Sequence, residues 1–184
     1  MEEQIDVLLP TYNGEKYIEE QISSILNQTY KNIRLIISDD CSKDNTINIL
    51  KKYAERDNRI KIYLQKNNMG VVKNVEFLLN RVESELYMLA DQDDVWLPEK
   101  IEKTVDALRK NNADLVFGDL KVVNKNTHIQ QFLKLFDFVS SRSLLCGGRF
   151  QILACFLFIF GDFCEAGRIT MGASGIICDT TYRI

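Results

Sequence analysis

The stretch YMLADQDDVWLPEK, residues 87–100, sets three aspartates within four positions directly after an apolar run. Neighbouring carboxylates disfavour one another's ionised form, so the crowding implies something opposite them. The apolar run LYMLA (86–90) reads as a buried strand that stops before Asp91. On that reading Asp91 and Asp93 leave the strand two positions apart and point to the same side. Oxygen-only ligands suit a hard divalent cation. Magnesium in particular is held by one or two carboxylates, with waters and phosphates completing its shell. The plainer alternative is a solvated acidic turn ahead of the helix that Pro98 starts, with Ile101, Val105 and Leu108 on one face.

Working outward, the same kind of apolar run recurs. IDVLL (5–9), closed by Pro10, IRLIIS (33–38), IKIYLQ (60–65) and DLVFGDLKVV (114–123) read as further strands. Between them lie helical patterns. Ile18, Ile22, Ile25 and Leu26 share one face after GEKY, and Ile47, Leu50, Tyr53 and Ala54 follow a turn in which Ser42 or Asp44 can cap. VVKNVEFLLNRV (71–82) is the third helix. Strands alternating with helices imply parallel βαβ units, and ligands of such sheets bind beyond the carboxyl ends of the strands. Those ends read PTYNG, SDDCS and DQDD, so the polar clusters fall where a site is expected.

Each cluster suggests a role. A carboxylate at Asp39 or Asp40 can accept a hydrogen bond from a ribose hydroxyl or a base N–H, although Ser42 and Asp44 can also make this a plain capping turn. The ring of Tyr12 can flank a base, and Gly14 permits a tight turn. There is no G-x-G-x-x-G and no G-x-x-x-x-G-K-[ST], which disfavours dinucleotide oxidoreductases and P-loop NTPases. Phosphate charge would then fall to a metal and local cations such as Lys73. The single histidine, His128, has no nucleophile elbow beside it and reads as an ordinary surface or core residue.

Composition narrows the classes. A chain of 184 residues supports one domain with a substantial core. A net charge of −3 argues against a general nucleic-acid binder. Met1 is followed by two glutamates, which predicts no secretory signal. The longest apolar run, ILACFLFIF (152–160), has nine residues and is too short to span a bilayer as a helix. The expectation is a cytoplasmic protein, or one held peripherally at the inner face of the membrane. Five cysteines form no C-x-x-C pair and read as reduced thiols.

Taken together, VLLPTYNGEKYIEEQISSILNQTYKNIRLIISDDCSKDNT, NNMGVVKNVEFLLN and LADQDDVWLPEKIEK closely resemble the family-2 glycosyltransferases, in particular bacterial rhamnosyltransferase-like members that build surface polysaccharides. The resemblance covers about residues 3–125, and three ordered motifs make it specific. It implies a GT-A fold, a Rossmann-like, mostly parallel sheet flanked by helices. It also implies Mg²⁺ or Mn²⁺ as cofactor and a UDP- or dTDP-sugar as donor. Carried over by position, Pro10, Thr11 and Tyr12 line the nucleotide pocket, and Asp39 and Asp40 match the acidic pair after the second strand, with Asp40 at the base. Asp91 and Asp93 match the D-x-D motif, where Asp93 is the main metal ligand and Asp91 faces ribose or metal. Transfer with inversion to a saccharide or lipid-linked acceptor is the implied reaction.

The chain departs from this pattern after Asn126. Residues 1–126 carry 40 of the 49 charged residues, whereas 127–184 hold four of the five cysteines and six of the nine glycines. The division expected is a nucleotide-sugar-binding part, 1–126, and an acceptor-side or aberrant C-terminal segment, 127–184, of one domain that is atypical or incomplete there. The family's general base lies in an acidic motif often reading E-D, and no such pair follows Asn126. Asp137, Asp162, Glu165 and Asp179 lack a recognisable context, so no catalytic residue is assigned. Two alternatives stand beside an active transferase. One is a non-catalytic nucleotide-sugar-binding fragment. The other is a receiver-type domain, which would need its acidic pair after the first strand, where PTYN stands.

Overall fold

The computed structural model describes residues 3–111, 113, 115–123, 129–133, 151–153 and 176–183, with side chains described as far as Val116. The elements run β1 (Ile5–Thr11), α1 (Ile18–Leu26), β2 (Ile33–Asp39), α2 (Thr46–Ala54), β3 (Ile60–Leu64), α3 (Val71–Leu79), β4 (Leu86–Leu89), β5 (Asp94–Trp96), α4 (Lys100–Lys110), β6 (Leu115–Val123), β7 (Ile129–Leu133), β8 (Gln151–Leu153) and β9 (Ile176–Arg183). Among the described residues they form one sheet in the order β3-β2-β1-β4-β8-β6-β9-β5, with β7 on β6. Pairing is parallel except for β5 with β9 and β6 with β7.

The apolar runs are continuous because the central strands are buried on both faces. Alternation along each strand then divides the residues between two cores. Ile5, Val7 and Leu9 of β1, with Leu35 and Ile37 of β2, pack against α1, α2 and α4 through Ile22, Leu50 and Val105. On the other face Leu8, Ile36, Tyr87 and Leu89 meet Val75 and Leu78 of α3. Each of these fully buried aliphatic side chains contributes about 1.5–3 kcal/mol by leaving water.

Two boundaries differ from the sequence reading. Pro10 does not end the first strand, which pairs with β2 through Thr11↔Asp39. Leu8 O accepts from Ala90 N, so Leu8 faces β4, and Pro10, two residues on, faces the same side. The β1–β4 ladder has stopped by then at Leu8↔Leu89, so the missing N–H costs no bond. Pro98 does not enter the helix either. Residues 98–99 form a turn and α4 begins at Lys100. Pro98 O instead accepts from Thr29 N (2.8 Å).

The C-terminal part supplies strands that periodicity did not show. β8 enters the sheet between β4 and β6. It takes Ile152 and Leu153 from the apolar run ILACFLFIF. The remainder of that run lies outside the described residues, as do His128, Asp137, Asp162, Glu165 and the division at Asn126. Asp179 falls on β9, of which the backbone is described.

At the edge opposite the polar strand ends, a buried ion pair ties the sheet together. Arg34 donates from Nε and Nη2 to the two oxygens of Asp6 (2.8 and 2.7 Å), and from Nη1 to Glu83. Asp6 Oδ2 also accepts the amides of Glu83 and Ser84. Burial pushes the Asp6 carboxyl up, but the Arg34 guanidinium and these two amides outweigh it and hold the pKa below its ordinary value. A depressed carboxylate contributes stability that is complete above its unfolded pKa and is lost as pH falls through the folded one. Asp6→Ala should cost about 3–5 kcal/mol in urea unfolding at neutral pH, because it leaves the buried Arg34 with Glu83 as its one carboxylate partner among the described residues and the amides of Glu83 and Ser84 without their acceptor. The gap between wild type and variant should narrow below about pH 4. A pH-independent gap would show that Asp6 does not act as a buried anion.

Candidate functional site

The parallel sheet delivers the ends of β1, β2 and β4 to one edge, and the order β3-β2-β1-β4 places the change of winding direction between β1 and β4. A crevice at such a switch point is the usual ligand site of open α/β sheets. Here it is a cavity of about 510 Å³ walled by Pro10, Thr11, Tyr12, Asn13 and Tyr17 from the first strand end and by Asp40 from the second. Asn68, Gly70, Val71 and Asn74 form a third wall, and Asp91, Gln92 and Asp93 a fourth. No lysine or arginine lines it among the described residues, and Lys73 lies exposed on α3 outside the lining.

The loops after β1 and β2 are fastened by alternating backbone and side-chain bonds. The amides of Asn13, Gly14 and Glu15 donate to Ser42 Oγ (2.8 Å), Thr46 Oγ1 (2.8 Å) and Asp44 Oδ2 (3.0 Å). In return the amides of Lys43 and Asn45 donate to Asn13 Oδ1 and Glu15 Oε2. Of the two capping candidates, Asp44 takes the Thr46 amide at the start of α2, and Ser42 serves the first loop. Burial raises the Asp44 pKa, but the Thr46 hydroxyl and the amides of Glu15 and Thr46 overcome this and leave it lowered. The left-handed positions are Asn13 (φ 47°) and Cys41 (φ 67°) rather than Gly14. Gly14 is bare for a different reason: a Cβ there would stand 2.5 Å from Gln92 Oε1.

The acidic pair after β2 separates into two roles. Asp39 is fully buried and lies outside the cavity lining. Its oxygens accept from Thr11 Oγ1 (3.2 Å) and from the Ser42 amide (2.9 Å) and hydroxyl, so it pins the two strand ends together. Asp40 does line the cavity, while accepting the amides of Met69 (2.7 Å) and Gly70 (2.9 Å). An ionised carboxylate has about four lone-pair sites, which leaves capacity for a ligand N–H. Tyr12 is 43% exposed and presents its ring at the rim.

The three aspartates of the opening stretch converge. One carboxylate oxygen from each of Asp91, Asp93 and Asp94 lies within 4.8 Å of the others. Strand alternation is not the cause, since β4 stops at Leu89 and a turn at 92–93 brings the groups together. Asp94, the first residue of β5, joins as a buried third member, which the D-x-D pattern did not single out. Three hard oxygen donors at this separation make a donor set that fits Mg²⁺ or Mn²⁺.

A row of polar side chains on α1 and just past its end supports this turn, and sequence reasoning missed it. Gln21 Nε2 donates to Asp91 O (2.8 Å), and Ser24 Oγ accepts from Trp96 N (3.0 Å). Gln28 donates to Leu97 O (2.7 Å) and accepts from Ile101 N (3.0 Å). Gln21 and Ser24 lie three residues apart on α1 between the apolar positions Ile18, Ile22 and Ile25, and Gln28 follows four residues later, just past the helix end. Polar residues at that spacing inside an apolar face were the available signal. Gln92 was missed as well. Its amide accepts from Tyr12 N (2.9 Å) and donates to Tyr12 O (3.1 Å).

This combination of switch-point cavity, acidic cluster and layered parallel sheet is that of the GT-A fold. Solved structures with the same fold include S. aureus TarS 1–349 in complex with UDP, at TM-score 0.61 and 29% identity, covering 66% of this chain and 37% of that one. Residues 6–165 match the family described as glycosyl transferase family 2. An uncharacterized glycosyltransferase of Haemophilus influenzae is 39% identical over 114 residues, 62% of this chain and 35% of the relative. The UDP-Glc:alpha-D-GlcNAc-diphosphoundecaprenol beta-1,3-glucosyltransferase WfgD of Escherichia coli is 30% identical over 129 residues, 70% of this chain and 50% of the relative. The chain belongs to glycosyl transferase family 2. Its aligned part spans about a third to a half of the length of these two relatives.

Replacing Gln28 by Leu should leave the Ile101 amide unmet, at about 1–3 kcal/mol, while the Leu97 carbonyl keeps the Lys100 amide (3.0 Å). Chemical unfolding monitored by tryptophan fluorescence would measure this loss. Unchanged stability would mean that the row is not what holds the 91–101 segment.

Proposed function

We propose that the chain carries the donor site of a glycosyltransferase that takes a sugar from a nucleotide-diphospho-sugar. The observation that carries the reading is the three-carboxylate cluster, of which Asp91 and Asp93 open onto the switch-point cavity. Tyr12 offers an exposed aromatic face to the base, and Pro10 and Thr11 floor the same wall. Asp40 accepts a base or ribose donor, with its orientation fixed by the Met69 and Gly70 amides. Asp91 and Asp93 hold the cation, Asp91 also facing the ribose. When bound, Mg²⁺ or Mn²⁺ supplies the positive charge that stabilises the departing diphosphate, an effect that grows toward the transition state.

The donor is a UDP- or dTDP-sugar, and its sugar a hexose or rhamnose. TarS is also known in complex with UDP-GlcNAc, and the name of WfgD gives UDP-Glc as donor and a diphosphoundecaprenol-linked acceptor. These support a uridine-type donor and a saccharide or lipid-linked acceptor in surface polysaccharide synthesis, with transfer by inversion. Residues 1–126 form the donor-binding part and 127–184 the acceptor-side segment. Among the described residues, no helix is long and apolar enough to cross a membrane. Peripheral association is the form of membrane contact proposed, at the inner face where lipid-linked acceptors are met.

Calorimetric titration with UDP and dTDP tests the site. Mn²⁺ or Mg²⁺ should tighten binding, and EDTA should reverse the gain. Affinity unchanged by chelation would remove the cation from the reading. In the same assay Asp40→Ala should weaken nucleotide binding by about 1–3 kcal/mol, the range for losing a bond to a charged group. Unaltered affinity in a folded variant would leave Asp40 only its loop-fastening role.

A further inference from the structure

The nucleoside wall and the carboxylate turn belong to segments eighty residues apart in sequence. The β1–β4 ladder ends at Leu8↔Leu89, before either segment begins, and Pro10 cannot extend it. Beyond that end the chain makes one more rung from a side chain. The carboxamide of Gln92 accepts from Tyr12 N (2.9 Å) and returns a bond to Tyr12 O (3.1 Å), as an opposing strand residue would. A Cβ at position 14 would lie 2.5 Å from Gln92 Oε1 and 2.9 Å from its Cδ, so a side chain there would have to push the carboxamide aside.

Gln92 is covalently fixed between Asp91 and Asp93. Any movement of that turn as the carboxylates close on a cation is passed to the Tyr12 backbone, and ordering of the Tyr12 loop is passed back. We propose that Gln92 is a positioning residue that couples the two halves of the donor site, so that cation binding prepares the nucleoside wall through the protein itself. This rests on the donor-site reading above. It adds that part of the cation's effect on nucleotide affinity does not pass through the diphosphate. Coupling of this kind is reciprocal and typically worth several-fold in affinity.

A nucleoside separates the two routes, because it has no phosphate for the cation to touch. UDP, dTDP and GDP would first be titrated into wild type with Mg²⁺, and the nucleoside of whichever binds would then be titrated with saturating Mg²⁺ and with EDTA. Mg²⁺ should tighten the nucleoside about fivefold or more. In Gln92→Ala the ratio should fall several-fold, to the part that Asp91 carries directly between cation and ribose, while the nucleotide keeps the cation dependence that comes from direct contact. Gly14→Ala, which crowds the carboxamide without touching a carboxylate, should lower the ratio in the wild-type background and change nothing further in Gln92→Ala. This interaction between the two substitutions is a result that mere loss of stability does not produce. A nucleoside affinity indifferent to Mg²⁺ in wild type, or an unchanged ratio in either folded variant, overturns the coupling and leaves the donor site standing. Failure of all three nucleotides to bind wild type overturns the donor site and the coupling together.

Discussion

The parallel pairing of β1 with β2 on one side and β4 on the other is the constraint on which the remaining structure depends. Parallel strands share a direction, so three successive strand ends must emerge at one edge. The residues that follow those ends are polar, and they could not be buried in the sheet without losing their bonds to water. The fold therefore concentrates backbone amides, carboxylates and an exposed tyrosine in one crevice. At the other edge the Asp6–Arg34 pair closes the same strands with a buried charge that is fully met.

What turns a collection of strand ends into a defined site is a set of bonds beyond the ladders. Asp39 joins Thr11 to Ser42, Asp40 holds the Met69–Gly70 turn, and Gln92 bridges to Tyr12. Gln21, Ser24 and Gln28 do the same for the segment from Asp91 to Ile101. Each of these side chains satisfies a backbone group in a loop or at the end of an element, and a group left unmet there would cost about 1–3 kcal/mol. Cys41 stands in the left-handed region within this network, at a cost of about 1–2 kcal/mol for a residue with a Cβ. The surrounding bonds outweigh it.

The apolar runs made the first four strands and their helices legible, because continuous burial on both faces leaves an unbroken signature in sequence. The segments 94–96 and 151–153 were not legible as strands. Three residues are too few to show a period, and their pairing partners lie far along the chain. The acidic clusters could be located from their place after strands. Their division of labour could not, since Asp39 and Asp40 are adjacent and identical in sequence, yet one is sealed in the fold and the other faces the cavity.

The sequence by itself determined the alternation of strand and helix, the edge at which polar residues collect and the hard-oxygen chemistry of the 91–94 turn. These follow from local patterns and from the kinds of side chain present. Only the tertiary structure decided that Asp94 completes the cluster, that Gln92 reaches Tyr12, that a Cβ at position 14 would crowd the Gln92 carboxamide and that polar side chains on and just past α1 hold the 91–101 segment. Those facts depend on distances between segments far apart in the chain, and such distances are set by packing rather than by any local preference.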